Sequence, residues 1–201
     1  MTSVPNQLSM LRILLAPVFY VCLVSPDPVT RQWSLAVFFL AAITDWYDGQ
    51  IARSSNSVTR IGKFLDPLAD KILTSSAFIA FGFLGLTPWW MVAVIVIRDL
   101  GMTGVRIYSE IKNLEFNTSK FAQTKTFVQM TVLYYILLVY VLKDVGWVHQ
   151  HIGAMIPALL APDLVYTLML IVTILTVLTA IQYLFENRSV LFLKTGEQSL
   201  E

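Results

Sequence analysis

Charge is scarce in this chain. Only 13% of its 201 residues are Asp, Glu, Lys or Arg, while 56% are apolar. A soluble domain carries roughly 25% charged residues, and so small a supply could not cover a water-facing surface. The composition excludes an ordinary soluble domain and points to a membrane-embedded one. Cysteine is scarcer still. Cys22 stands alone inside an apolar run, which excludes an intrachain disulfide and a thiolate metal site. It reads as a small buried hydrophobe. Internal repeats, low-complexity tracts and a polar stretch long enough for a second domain are also missing. Residues 1–195 are therefore expected to form a single membrane domain, with 196–201 a polar tail. The N-terminus has neither a basic stretch nor a small-residue cleavage site before its first apolar run, so that run is expected to stay as a helix. The net charge of +1 identifies no partner, and nucleic acid is not expected among the partners.

What is present is a series of long apolar runs. A spanning helix needs about 20 mostly apolar residues. Six stretches qualify: Leu8–Val24, Trp33–Ile51, Ile72–Leu86, Trp89–Tyr108, Thr126–Leu142 and Leu164–Phe185. Leu68 and Ala69 extend the third backwards. Pro, Gly, Ser and Asp separate the runs, at Ser25–Pro28, Ser54–Thr59, Thr87–Pro88 and Ala161–Asp163. Ile152–Leu160 is too short to span and is expected to lie at the interface or re-enter. The expected fold is all-α, with six transmembrane helices and a polar cavity facing the cytoplasm. Six spans put both termini on one side. Of the fourteen Lys and Arg, only Arg31 and Lys143 fall on the opposite side, so the termini are expected in the cytoplasm. Trp33, Trp89, Trp90 and Trp147 fit interfacial anchors. His149 and His151 fall on the side away from the chemistry proposed below.

Four aspartates gather between the second and third runs. Asp45 and Asp48 are spaced i, i+3, and Asp66 and Asp70 i, i+4, so each pair shares a helical face. The connecting loop brings the two faces to the cytoplasmic end. Four carboxylates in a partly dry site repel unless a cation compensates them. Oxygen ligands select hard cations such as magnesium, manganese or calcium, and two such ions can clamp a phosphate. Gly49, Gly62 and the small Ala52 allow close approach, and Arg53 can bond phosphate. Asp66-Pro67 fits a helix start, with Asp66 as the cap and Pro67 at the first position.

These residues spell D-x2-D-G-x2-A-R-x8-G-x3-D-x3-D from Asp45 to Asp70, with all eight fixed positions present. The pattern resembles the signature of the CDP-alcohol phosphatidyltransferase family. Pro5, Asn6, Leu8, Ser9 and Arg12 match that family's N-terminal P-N-x-[LI]-[TS]-x-x-R pattern. Within the family the chain is most similar to the phosphatidylglycerophosphate synthases, through Thr44–Gly49, Phe64–Lys71, Arg98-Asp99, Lys125-Thr126 and Gln129-Met130. It departs from the usual pattern in having Asp99, not Glu, after Arg98, and in lacking the glycine of a Gly-Lys pair ahead of Lys125-Thr126, where the segment Ser119–Thr126 has none.

The resemblance implies a dimeric enzyme of the bacterial inner membrane, working on CDP-diacylglycerol and sn-glycerol 3-phosphate among membrane lipids. It implies two divalent cations, Mg2+ or Mn2+, with calcium inhibitory. Asp45, Asp48, Asp66 and Asp70 would hold them, and Asp70 would be the general base. Asn6, Gly49, Ala52, Arg53 and Gly62 would line the CDP pocket. Arg60, Arg98, Arg106, Lys120 and Lys125 are candidates for the acceptor phosphate. Asp99, directly after Arg98 at membrane depth, reads from its position as a structural or orienting partner rather than a ligand.

Other acceptors, namely inositol phosphate, phosphatidylglycerol or serine, would use the same chemistry. A divalent-ion transporter could use the same carboxylates, but transporter sites lie near the bilayer midplane, whereas these aspartates sit at helix ends beside basic residues. An inactive scaffold is at odds with the intact motif. The orientation is directly testable. In a Cys22→Ala background, Thr2→Cys should react with an impermeant maleimide only in opened membranes, and Asp27→Cys already in intact cells. The reverse pattern would invert the topology.

Overall fold

Each apolar run ends at a breaker, and the helices follow those boundaries. The computed structural model describes residues 4–55, 60–111 and 120–186; of these, the side chains of 4, 5, 45–55, 60–64, 110, 120, 121 and 186 lie outside the description. The elements are α1 (Val4–Val24), α2 (Pro28–Ser55), α3 (Arg60–Phe83), α4 (Trp89–Ile111), α5 (Lys120–Leu142), α6 (Gly146–Ile152), a 3-10 turn (Gly153–Met155), α7 (Ile156–Leu159) and α8 (Pro162–Glu186). Among the described residues there is no strand. The six long helices correspond to the six expected runs. The expected tail, 196–201, lies outside the described residues.

Local chemistry explains the ends. Asp27 caps α2, accepting from Thr30 N at 2.8 Å and Thr30 Oγ1 at 2.6 Å, and Pro28 occupies the first helical position, where its missing N–H costs nothing. Those two bonds, the side-chain one foremost, hold the Asp27 carboxyl below its ordinary pKa. At the end of α3, Gly85 takes φ +70°. Its N–H bonds Gly82 O at 3.1 Å, and Leu86 N bonds Phe81 O at 3.0 Å. This pair of bonds closes the helix through a left-handed residue that only glycine adopts without strain.

One expectation needs correction. α3 begins at Arg60, and Pro67 lies inside it, so Asp66 does not cap the helix. A proline here removes the bond to the carbonyl of Lys63 and crowds that carbonyl with its ring. In membrane helices neighbouring groups routinely make up such a loss, and α1 likewise runs through Pro17. The added turns place Asp66 and Asp70 within the helix, a turn apart on one face.

Three segments are long and apolar enough to cross a membrane on composition alone: Asn6–Val24, Ala122–Leu142 and Pro162–Phe185. α2, α3 and α4 have 28, 24 and 23 residues. At 1.5 Å per residue each exceeds a hydrocarbon core of about 30 Å. What sets them apart is their polarity, since they carry the motif aspartates and Arg53, Lys71, Arg98 and Asp99. Trp33, Trp89, Trp90 and Trp147 are all exposed, as interfacial anchors should be.

α1 packs on α2 and α3, α4 on α3 and α8, and α5 on α2 and α8. Buried Ala16, Ala41, Ala77 and Ala80 let backbones approach. Phe38 fills the centre, 5.0 Å from Phe19 and edge-on to Tyr134 at 5.5 Å. The end of the bundle away from Asp66 is closed by a polar clasp. Arg31 Nη1 meets Asp144 Oδ2 at 2.5 Å, and Arg31 Nη2 reaches Ser25 O at 3.0 Å. Gln32 Nε2 donates to Asp144 O at 2.8 Å. Arg31 and Lys143 also lie over the Tyr140 ring, 5.3 and 3.8 Å from its centroid. Burial there pushes the Lys143 ammonium pKa down. α6, carrying His149 and His151, follows directly. Tyr135 Oη donates to Leu159 O at 2.7 Å, roughly 10 Å below the end of α5 at helical rise. The 152–160 segment is therefore tied to the side of α5 before α8 begins.

Two outcomes follow from these contacts. Arg31→Ala should lower stability in detergent by about 1–3 kcal/mol, because it strands a mostly buried Asp144 carboxylate; an unchanged denaturation midpoint would dismiss the clasp. Because the folded Asp27 pKa lies below its ordinary value, its stabilisation is complete above that ordinary value and fades as pH falls through the lower one. The melting-temperature gap between the natural protein and Asp27→Ala should thus be flat near neutrality and close in acid.

Candidate active site

The α3 face presents two carboxylates one turn apart. The Asp66 side chain is 49% exposed and the Asp70 side chain 39%. Asp66 Oδ1 lies 3.4 Å from Nη1 of Arg12 on α1, and Arg12 is itself wholly buried. The N-terminal motif therefore forms the start of α1 and delivers its arginine to the aspartate face. Asn6 and Ser9 are buried beside it on the same helix. Thr74 Oγ1 bonds back to Asp70 O at 3.1 Å, within α3.

Asp45, Asp48, Gly49, Ala52 and Arg53 all fall in the second half of α2. Their spacing of i, i+3, i+4, i+7 and i+8 puts them on one helical face by register. Arg60 and Gly62 open α3, and Lys120 opens α5. The side chains of all eight lie outside the described residues. Among the described residues no three His, Cys, Asp or Glu come together. What is described of the expected metal set, Asp66 and Asp70, is a pair of partly open hard oxygen donors on one helix face. That donor chemistry fits a hard divalent cation.

Behind Asp70 lies a second charged group, around a buried carboxylate. Asp99 of α4 is only 3% exposed. Its Oδ1 receives Lys125 Nζ of α5 at 2.5 Å and Arg98 Nη1 at 3.1 Å. Its Oδ2 receives Gln129 Nε2 at 2.9 Å, and Lys71 Nζ of α3 stands 3.9 Å away. Lys71 Nζ is also 3.8 Å from Asp70 Oδ2. Arg98 Nη2 continues to Thr179 Oγ1 of α8 at 2.9 Å. Helical spacing builds the group: Lys125 and Gln129 are one turn apart on α5, and Thr103 Oγ1 bonds Asp99 O one turn along α4 at 2.8 Å.

The structure thus brings together two of the acceptor candidates, Arg98 and Lys125. Arg106 lies two turns beyond Arg98, exposed, with no ion pair among the described residues. Two members of the group were missed in the sequence. Lys71 follows Asp70 directly, and Gln129 lies i+4 from Lys125. Both signals are present, but neither shows which helix it will meet. In charge, three cations surround one buried carboxylate. With Asp70 included, the group carries a net charge of +1 and suits an anion beside a proton acceptor.

A CDP-diacylglycerol–glycerol-3-phosphate 3-phosphatidyltransferase of Bacillus subtilis (strain 168) is 40% identical over 53% of this chain and 62% of its own length. The chain therefore spans less than two thirds of that relative. A Rickettsia bellii (strain RML369-C) protein of the same name is 35% identical over 68% of this chain and 75% of its own. A Mycobacterium tuberculosis (strain ATCC 25618 / H37Rv) protein provisionally named a cardiolipin synthase is 36% identical over 51% and 48%. The family model described as CDP-alcohol phosphatidyltransferase matches residues 2–182, nearly all of the helical domain, and the chain belongs to that family.

Proposed function

We propose that the protein transfers the phosphatidyl group of CDP-diacylglycerol to sn-glycerol 3-phosphate, giving phosphatidylglycerophosphate and CMP. The observation that carries this reading is the position of Asp70. It faces solvent on the aspartate face of α3 and stands within 4 Å of Lys71, the nearest cation of the Asp99 group. A proton acceptor beside an anion-binding group suits an acceptor that has both a hydroxyl and a phosphate. The names of the Bacillus and Rickettsia relatives describe a reaction with such an acceptor.

In the proposed reaction Asp70 takes the proton of the acceptor hydroxyl. The oxygen then forms a bond to the diacylglycerol-linked β-phosphorus, and the bond from that phosphorus to the CMP oxygen breaks, its electron pair leaving with CMP. Asp45, Asp48, Asp66 and Asp70 would hold two divalent cations, Mg2+ or Mn2+, whose chemistry when bound is to neutralise charge on the pyrophosphate; calcium would inhibit. Gly49, Ala52, Arg53, Gly62 and Asn6 would line the CDP pocket. Arg98, Lys125, Arg106, Lys120 and Arg60 would supply positive charge toward the acceptor phosphate. Burial sets how much each cation contributes. A unit pair 4 Å apart is worth about 1 kcal/mol in water and about 4 kcal/mol near a protein surface of lower dielectric.

The same reading has α2, α3 and α4 crossing the bilayer with α1, α5 and α8. A polar cavity and both termini face the cytoplasm of a bacterial inner membrane, and two copies form a dimer. A second acceptor is favoured by one observation, the relative named for cardiolipin synthesis, which would point to phosphatidylglycerol.

Purified protein should release CMP from CDP-diacylglycerol only with Mg2+ or Mn2+ and glycerol 3-phosphate present. Chelation should abolish release, and added metal restore it. Asp70→Asn should lower kcat by about 10²–10⁴-fold. Release with phosphatidylglycerol alone would replace the acceptor. No release with any acceptor, from folded and metal-loaded protein, would overturn the assignment.

A further inference from the structure

We propose that Asp99 is a positioning residue for the acceptor, holding Lys71 and Arg98 in place to receive its phosphate. The inference rests on the reading of the reaction given above and concerns a residue that does not itself touch substrate.

The argument starts from which donors are committed. A carboxylate offers about four lone-pair sites. Three donors fill most of those of Asp99: Lys125, Arg98 and Gln129. Lys125 and Gln129 are each 2% exposed, as deep as Asp99 itself. They anchor the carboxylate from α5, on the side away from solvent. A carboxylate so enclosed has no room for a metal or a substrate.

The two remaining cations differ from Lys125 in just the respect that matters. Their side chains are partly open, Lys71 by 19% and Arg98 by 16%. Lys71 Nζ stands 3.8 and 3.9 Å from its two carboxylates, beyond hydrogen-bond distance, and makes no hydrogen bond among the described residues. Among the described residues its three donors are uncommitted. Arg98 spends Nη1 on Asp99 and Nη2 on Thr179, while its buried Nε has no partner among the described residues. Lys71, with its spare donors, and the partly open Arg98 therefore flank one edge of the group, next to Asp70.

Without Asp99 these cations would not stay together. Lys71, Arg98 and Lys125 come from three helices, and their mutual repulsion in a low-dielectric bundle is offset only by the carboxylate between them. Asp99 thus sets the spacing at which an incoming dianion finds its donors, while Lys125 and Gln129 set the position of Asp99.

The test uses the full-length protein in detergent, with Asp99→Asn, Asp99→Glu and Lys71→Gln. Asp99→Asn should raise KM for glycerol 3-phosphate by about tenfold or more, the size expected when one member of a buried charge pair is lost. KM for CDP-diacylglycerol should change by less than about twofold, as for an interaction made with one substrate only. Asp99→Glu keeps the charge and should recover most of the loss. Lys71→Gln, at the open edge of the group, should give the same selective rise without loss of thermal stability, and it decides the matter if Asp99→Asn does not fold. Equal rises in both KM values together with a lower melting temperature, and no rescue by Glu, would mark Asp99 as purely structural and overturn the proposal. Unchanged glycerol 3-phosphate KM in Lys71→Gln would do so too. Binding of inorganic phosphate to the natural and variant proteins gives a readout independent of turnover. Weaker phosphate binding by the variants of a protein that transfers to another acceptor, or to none, would sustain the positioning role while the reaction reading fails. Phosphate binding that is absent from the natural protein, or unaltered in the variants, would overturn the positioning role itself.

Discussion

A carboxylate held inside an apolar helical bundle must be surrounded by cations or give up its charge, because the loss of its hydration is worth several kcal/mol. Asp99 meets that condition by recruiting groups from the neighbouring helices. Lys71 comes from α3, Arg98 from the adjacent position on α4, and Lys125 and Gln129 from α5. Arg98 then carries the connection to α8 through Thr179. The demand of one buried charge thereby sets the mutual placement of four helices at one end of the molecule. Lateral packing of leucines and phenylalanines could not do so alone, since lipid tails are as apolar as they are.

The opposite end is organised by a similar but more peripheral device. Arg31 and Asp144 tie the turn between α1 and α2 to the end of α5, with Tyr140 between two cations. Between the two polar ends runs the dry zone of Phe19, Phe38 and small alanines. The bundle is thus fastened by polar contacts at both ends and filled by apolar contacts in the middle. The end that carries the partly exposed Asp66 and Asp70 is also the one where, among the described residues, Lys71 stands beside two carboxylates without a hydrogen bond. That difference separates a structural clasp from a site that can take a ligand.

Much of this was legible in the sequence, for reasons that can be traced. Six helices followed from apolar runs bounded by breakers, because in lipid the backbone must satisfy its own hydrogen bonds. The shared faces of Asp66 with Asp70, and of Lys125 with Gln129, follow from helical periodicity, although only the first pair was given a role. Pro67 misled, because proline usually marks a helix start in water, whereas α3 runs through it. Lys71 was passed over for a more general cause. Periodicity tells which residues share a face of one helix but says nothing about which helices meet, and the value of Lys71 lies in standing between carboxylates of α3 and α4. Burial is a further property that periodicity does not give: Lys125 lies under the surface, bonded to Asp99.

The contact between Arg12 and Asp66 joins residues 54 positions apart, and the chain is made in order. When α1 enters the membrane, its arginine arrives before any part of α3 exists. Its long side chain can meanwhile reach back to the headgroup region, near the end of the helix at which it sits. Once α3 follows, that cation can leave the interface for the carboxylate face and become buried. Docking of α1 on α3 is therefore coupled to the withdrawal of one charge from the lipid headgroups, and biogenesis of the first half of the bundle gains a direction.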